Sequence, residues 1–143
     1  MERSARVQIE WECQQLLNRV TMLLDNGSWA ELAACYTEDA VLYRPSDPTN
    51  GVRGREAILR SFEARPPRIS CHLLANTVFD VVSATDVRAF SRVLLMTGAP
   101  SETAPAPADK TLLAGSFEDR LVLTNEGWRV ASRQGTIELQ YTP

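Results

Sequence analysis

Ile69-Ser70-Cys71-His72-Leu73-Leu74-Ala75-Asn76-Thr77-Val78-Phe79-Asp80-Val81-Val82 decides the fold. The stretch is long, apolar and rich in β-branched residues, the composition of a strand. Three similar runs follow, Val87 to Thr97, Thr111 to Leu123 and Trp128 to Leu139. Ser83-Ala84-Thr85-Asp86 makes a turn after the first run. Thr124-Asn125-Glu126-Gly127 is a hairpin turn of the Asn/Gly kind before the last. Gly98 to Asp109 holds Pro100, Pro105 and Pro107 among small residues and reads as a flexible loop within the domain. Long strands joined by hairpins form a curved antiparallel sheet.

Upstream of this sheet the periodicity is helical. Ile9, Cys13, Leu16, Leu17, Val20, Leu23 and Leu24 form one apolar stripe, which predicts a helix from Ser4 to Asp25. Asp25 itself falls roughly opposite the stripe, on the side of Val7, Trp11 and Met22. Asn26-Gly27 stops the helix. Ser28-Trp29-Ala30-Glu31 has a capping-box pattern and predicts a short second helix to about Tyr36. Thr37-Glu38-Asp39 is a polar break, and Ala40-Val41-Leu42-Tyr43 a strand. Arg44 to Gly54, with Pro45, Pro48, Gly51 and Gly54, reads as loop. A third helix opens at Gly54-Arg55 and is over by Pro66-Pro67. Helices first and strands later indicate an α+β fold in one domain over residues 1–143. The helices must cover one face of the sheet, and a bent sheet around a long helix leaves a concave pocket at its open end.

Composition narrows the chemistry. The chain has 15 Lys+Arg against 18 Asp+Glu, a net charge of −3, and no Lys/Arg cluster, which argues against nucleic-acid partners. No apolar run approaches the ~18–20 residues that span a membrane. The polar N-terminus has no apolar signal core, and the three cysteines, Cys13, Cys35 and Cys71, form no CxxC. The expectation is a cytoplasmic protein with reduced thiols. One histidine and no Cys/His cluster speak against a structural zinc site. No phosphate loop, dinucleotide fingerprint or G-x-S-x-G is present, so no cofactor is expected.

His72 is therefore the single candidate for imidazole chemistry. A histidine with its ordinary pKa near ~6.5 suits general-base work at neutral pH. Strict alternation would put Ser70, His72, Leu74, Asn76 and Val78 on one face of the strand, and Cys71, Leu73, Ala75, Thr77 and Phe79 on the other. Either face could line the pocket. An interior histidine with its hydrogen bonds satisfied is the competing reading. Arg92, Arg120 and Arg133 could bind a carboxylate or sit at a subunit contact, and Glu118 and Glu138 could be pocket carboxylates; solvated or structural roles are the ordinary reading for all five. Tyr36 and Tyr43 suit a pocket mouth, since tyrosine joins an apolar body to a polar tip.

Four segments then line up: the long first helix with Asp25-Asn26-Gly27-Ser28-Trp29; Tyr36-Thr37-Glu38-Asp39-Ala40-Val41-Leu42; Gly51-Val52-Arg53-Gly54-Arg55-Glu56-Ala57-Ile58; and Cys71-His72-Leu73-Leu74-Ala75-Asn76. Their order resembles the NTF2-like superfamily and, within it, the SnoaL-like group. Gly115-Ser116-Phe117-Glu118-Asp119-Arg120-Leu121 and Gly127-Trp128-Arg129-Val130-Ala131-Ser132-Arg133 resemble that group's final hairpin. The resemblance implies a cone-shaped, cystatin-like α+β fold, a curved antiparallel sheet around the first helix. It favours the His72 face as the pocket. In the scytalone-dehydratase and hexachlorocyclohexane-dehydrochlorinase branch an aspartate ending the first helix orients a histidine that removes a proton; Asp25 and His72 occupy the matching places. SnoaL-type polyketide cyclases use an acidic base instead. Dioxygenase β subunits carry Arg-His-x-x-x-Asn on this strand and do no chemistry themselves; here Cys71 stands where the arginine would be.

The leading expectation is a cofactor-free lyase (dehydratase) or isomerase/cyclase acting on an apolar or aromatic, polyketide-like molecule. His72 would be its base, Asp25 the orienter, and Asn76, Tyr43 and Tyr36 the substrate contacts. The alternative is a non-catalytic subunit or ligand-binding module like the dioxygenase β subunits. Either would form a homo-oligomer, a dimer or trimer, to cover the outer face of the sheet.

Overall fold

The apolar stripe of the first helix is buried along its length: Cys13, Leu16, Leu17, Val20, Leu23 and Leu24 all lie in the core. In the computed structural model, which describes residues 1–143, they form the inner face of α1 (Arg3–Asn26). Gly27 adopts φ 68°, and its N–H and that of Ser28 close the helix on Leu24 and Leu23. α2 (Trp29–Ala34) begins almost at once. The capping box expected at Ser28 does not form. The Ser28 N–H, which the glutamate would have accepted from, is already donated to the Leu23 carbonyl at 3.1 Å. Glu31 lies 3.6 Å from Arg19 instead.

The remaining elements are β1 (Tyr36–Arg44), β2 (Asp47–Arg53), α3 (Arg55–Glu63), β3 (Ile69–Ser83), β4 (Asp86–Gly98), β5 (Leu112–Thr124) and β6 (Gly127–Tyr141). They make the expected α+β fold, with one curved six-stranded sheet in the order β2-β1-β6-β5-β4-β3. β3 to β6 form an antiparallel meander through the turns expected from the sequence. The sheet is not antiparallel throughout, because β1 lies parallel to β6. β1 arrives from the helical layer, so no hairpin dictates its direction.

Three local expectations are corrected. Tyr36 opens β1 instead of ending α2. Thr37-Glu38-Asp39 belong to β1 as an irregularity, since the register with β6 jumps from Tyr36↔Val130 to Val41↔Ser132. The segment read as loop after Arg44 contains β2, paired to β1 through Val41↔Arg53 and Leu42↔Val52. Pro48 is tolerated because β2 is an edge strand. Gly51 is there for close approach: a Cβ would stand 2.5 Å from Val41 Cγ1.

A fourth difference lies in β3. Ala75 pairs with Arg92 and Val78 with Phe90, so Asn76 and Thr77 together face the single Ser91. Asn76 takes φ 54°, a left-handed conformation that asparagine tolerates better than most residues. This β-bulge reverses the alternation. Ser70, His72 and Leu74 point inward, then Thr77, Phe79 and Val81 do, while Asn76 and Val78 are exposed.

Candidate active site

α1 lies against β3, and this contact brings Asp25 to His72. Asp25 continues the row Cys13-Leu17-Thr21, spaced four residues apart, whose first three members are buried. It therefore faces the sheet, whereas Val7, Trp11 and Met22, with which the ideal helical angle groups it, are exposed. The concave sheet reaches further around the last turn of the helix than the apolar stripe alone indicates.

Asp25 Oδ1 lies 2.6 Å from His72 Nδ1 and accepts from Ser70 Oγ at 2.9 Å. Its Oδ2 accepts from the His72 backbone N–H at 2.9 Å. The carboxylate thus holds both the ring and the strand that carries it. An ionised carboxylate only accepts, which assigns the proton to Nδ1 and the lone pair to Nε2. Nε2 has no hydrogen bond in the protein. The His72 side chain is 6% exposed and lines a cavity. Burial lowers its pKa below the usual 6.5, against the opposing pull of the Asp25 hydrogen bond and charge. The resting imidazole at neutral pH is a neutral base.

The cavity encloses about 730 Å³ of non-atom space, its opening to solvent included. Val20, Leu24, Leu32, Leu42, Val93 and Leu95 give it apolar walls. Tyr36 is a core residue that also lines it. Arg55 holds the Tyr36 carbonyl through two donors, at 2.9 and 2.6 Å. The Tyr36 hydroxyl makes no hydrogen bond within the protein, and burial pushes its pKa up to about 12, so it remains a donor. Tyr43 lines the cavity as well. Asn76 does not, because the bulge turns it to the outer side of β3. Of the residues considered from the sequence, Asp25 and His72 are in contact, Tyr36 and Tyr43 line the cavity with His72, and Asp25 and Asn76 do not line it.

Arg133 also reaches the cavity. It forms a buried fork with Asp119, Nε to Oδ1 at 2.7 Å and Nη2 to Oδ2 at 3.0 Å. Its guanidinium lies over the Phe117 ring, 3.9 Å from the centroid. Nη1 keeps no protein partner. Arg120 instead pairs with Asp86, and Arg92 with Glu138. Neither Glu118 nor Glu138 lines the cavity, since both lie off the inner face. Nowhere do three His, Cys, Asp or Glu side chains converge as a metal site would require.

Some contributors were not singled out from the sequence. Ser70 stands two residues before His72 on one strand face, and that spacing was its only signal. Arg44, Arg65 and Arg68 line the same cavity. Arg65 and Arg68 flank Pro66-Pro67, a pair of cations around a rigid turn in an acidic chain.

The fold has parallels among solved structures. A putative scytalone dehydratase from Novosphingobium aromaticivorans superposes with TM-score 0.84 at 22% identity, over 99% of this chain and 92% of that one. A type 2 hexachlorocyclohexane dehydrochlorinase gives TM-score 0.78 at 16% identity, over 99% and 93%. A Catenulispora acidiphila protein in complex with S-DNPA gives TM-score 0.72 at 26% identity, over 92% and 94%. At these identities the likeness is one of fold. A sequence comparison with curated proteins finds no match. The family model for the SnoaL-like domain matches residues 5–134. This chain belongs to the SnoaL-like domain family, within the NTF2-like superfamily.

Proposed function

We propose that this protein is a general-base enzyme that removes a proton next to a carbonyl in a small cyclic or aromatic substrate, leading to β-elimination of water or to isomerisation. The observation that carries this reading is the 2.6 Å Asp25–His72 contact, with Nε2 left free on a cavity wall. Nε2 takes the proton from carbon, and the electron pair moves into the adjoining carbonyl. Asp25 stabilises the imidazolium so formed, as the carboxylate of a catalytic triad does. The Tyr36 hydroxyl and Arg133 Nη1 are the donors available to the developing enolate oxygen. When the enolate collapses, the β C–O bond breaks and the imidazolium returns its proton to the departing hydroxyl as water. In an isomerisation the proton returns to a different carbon.

A purely structural subunit would fill its cone with its own side chains, and here a cavity stands beside the base. The fold shared with a putative scytalone dehydratase and a dehydrochlorinase supports the same reaction class. The complex of the Catenulispora acidiphila relative with S-DNPA supports a small-molecule occupant.

The test uses 3-hydroxy-1-tetralone, a β-hydroxyketone that loses water to give fluorescent 1-naphthol. The wild type accelerates naphthol formation over buffer, and His72→Gln loses about 10²–10⁴-fold of that rate. A His72→Gln enzyme as fast as the wild type would overturn the assignment.

A further inference from the structure

The chain carries a net charge of −3, yet the cavity is lined by Arg44, Arg65, Arg68 and Arg133 together with His72, and by no Asp or Glu. Arg133 has its own carboxylate in Asp119. The other three have none. Arg44, at the end of β1, gives one donor to Ser61 Oγ at 2.8 Å, but its Nε is buried without any hydrogen-bond partner. Other atoms of Arg44 line the cavity, so its charge reaches the cavity with no protein carboxylate to balance it, as an anionic ligand would. Arg44 and Arg65 sit 4.9 and 5.3 Å from the centroid of the Phe62 ring, which stacks on Trp29. Arg68 follows the rigid Pro66-Pro67 pair. Glu63 and Asp25 share an adjoining groove with Arg65 and Arg68, but neither makes an ion pair with them, and Asp25 is held by His72 and Ser70. The cost of gathering these cations is visible at Arg65, whose pKa falls to about 10 through burial and the charges of Arg44 and Arg68.

We propose that the substrate bears a carboxylate, received by Arg44, Arg65 and Arg68 at the end of the cavity formed by the close of β1 and the α3–β3 connection. This rests on the cavity being the substrate site, and it deepens that reading to aromatic or cyclic carboxylic acids. The planar guanidinium fork matches a carboxylate in shape and charge. An anchor on this side leaves the ring system to fill the apolar walls toward His72. The arginines then have two effects. They select the acid over its neutral analogues, and they add positive potential where proton removal builds negative charge.

The test is equilibrium binding, followed by tryptophan fluorescence or calorimetry, of three acid–amide pairs: benzoate and benzamide, 2-naphthoate and 2-naphthamide, anthracene-2-carboxylate and its amide. The wild type binds at least one acid about tenfold or more tightly than its amide, and the preference shrinks as salt is raised. Arg65→Gln and Arg68→Gln each reduce the preference, while Arg65→Lys, which keeps the charge and loses the fork, retains only part of it. His72→Gln keeps it, so failure of the catalytic reading leaves this result standing. Conversely, elimination of neutral 3-hydroxy-1-tetralone would survive failure of the anion site. Equal affinity for acid and amide, no acid binding at millimolar concentration, or displacement of the acid by lower concentrations of inorganic phosphate would overturn the proposal.

Discussion

Asp25 binds His72 twice, at the ring Nδ1 through Oδ1 and at the backbone N–H through Oδ2. One carboxylate thus fixes both the tautomer of the imidazole and the position of its strand against α1. Asp25→Asn is nearly isosteric but places an amide that can donate where the ring also donates. The imidazole is then pushed to the other tautomer, with its proton on Nε2. Asp25→Asn is expected to lower kcat/KM for 3-hydroxy-1-tetralone by about 10²–10⁴-fold. In a double-mutant cycle the His72→Gln/Asp25→Asn enzyme is no slower than His72→Gln alone; additive losses would count against a working pair.

The single histidine permits a direct titration. Burial lowers the His72 pKa despite Asp25, so its ring proton signals in NMR should titrate with a midpoint below 6.5. The acid limb of kcat/KM follows the same group, with activity present above the limb and lost below it. The stability linkage has the same sign. The unfolded chain binds this proton more readily, so stability is full above about pH 6.5 and falls as pH drops toward the folded pKa. His72→Gln removes that dependence. A midpoint above 6.5 would contradict the effect of burial, and one above 7 would make the pair an ion pair at neutral pH.

The Arg133–Asp119 fork is buried at both ends, with side chains 3% and 0% exposed. Removing either partner leaves an uncompensated charge in the interior. Asp119→Asn or Arg133→Met is expected to cost about 3–5 kcal/mol in urea unfolding. The double variant should recover part of that loss, because it strands neither charge.

Asn76 separates the structure from strict strand alternation. Asn76→Gly should be tolerated or slightly stabilising, and Asn76→Val should cost roughly 1–2 kcal/mol for its left-handed backbone. Because the side chain lies outside the cavity, Asn76→Ala should leave kcat/KM within about twofold of wild type. A larger loss of activity without loss of stability would return Asn76 to the substrate site.

The parts of the fold legible in the sequence are those with long, uninterrupted patterns. Nineteen buried residues form the core cluster, and α1 contributes its stripe from Cys13 to Leu24. The four long strands declare themselves through β-branched runs and turn residues. β2 was hidden because Pro48 and Gly51, ordinary breakers, are admissible on an edge strand that packs closely against Val41. The bulge at Asn76 was hidden because one unpaired residue leaves composition unchanged yet flips every side chain after it. At the site, the lone histidine and its aspartate were legible through residue type and a family resemblance. The helical angle of Asp25 pointed away from the sheet, and only the curvature of the sheet around α1 brings it to His72. Arg44, Arg65 and Arg133 come from three separate segments, and no local pattern announces that they converge.

Proton removal itself is the most direct test of the account. 1-Tetralone has exchangeable hydrogens at C2 and no leaving group, so loss of its C2–H signal in D₂O, followed by NMR, reports the base alone. Exchange is expected to run faster than buffer with the wild type and to return to the buffer rate with His72→Gln, at unchanged circular dichroism. Exchange by His72→Gln equal to the wild type, or a wild type no faster than buffer, would contradict it.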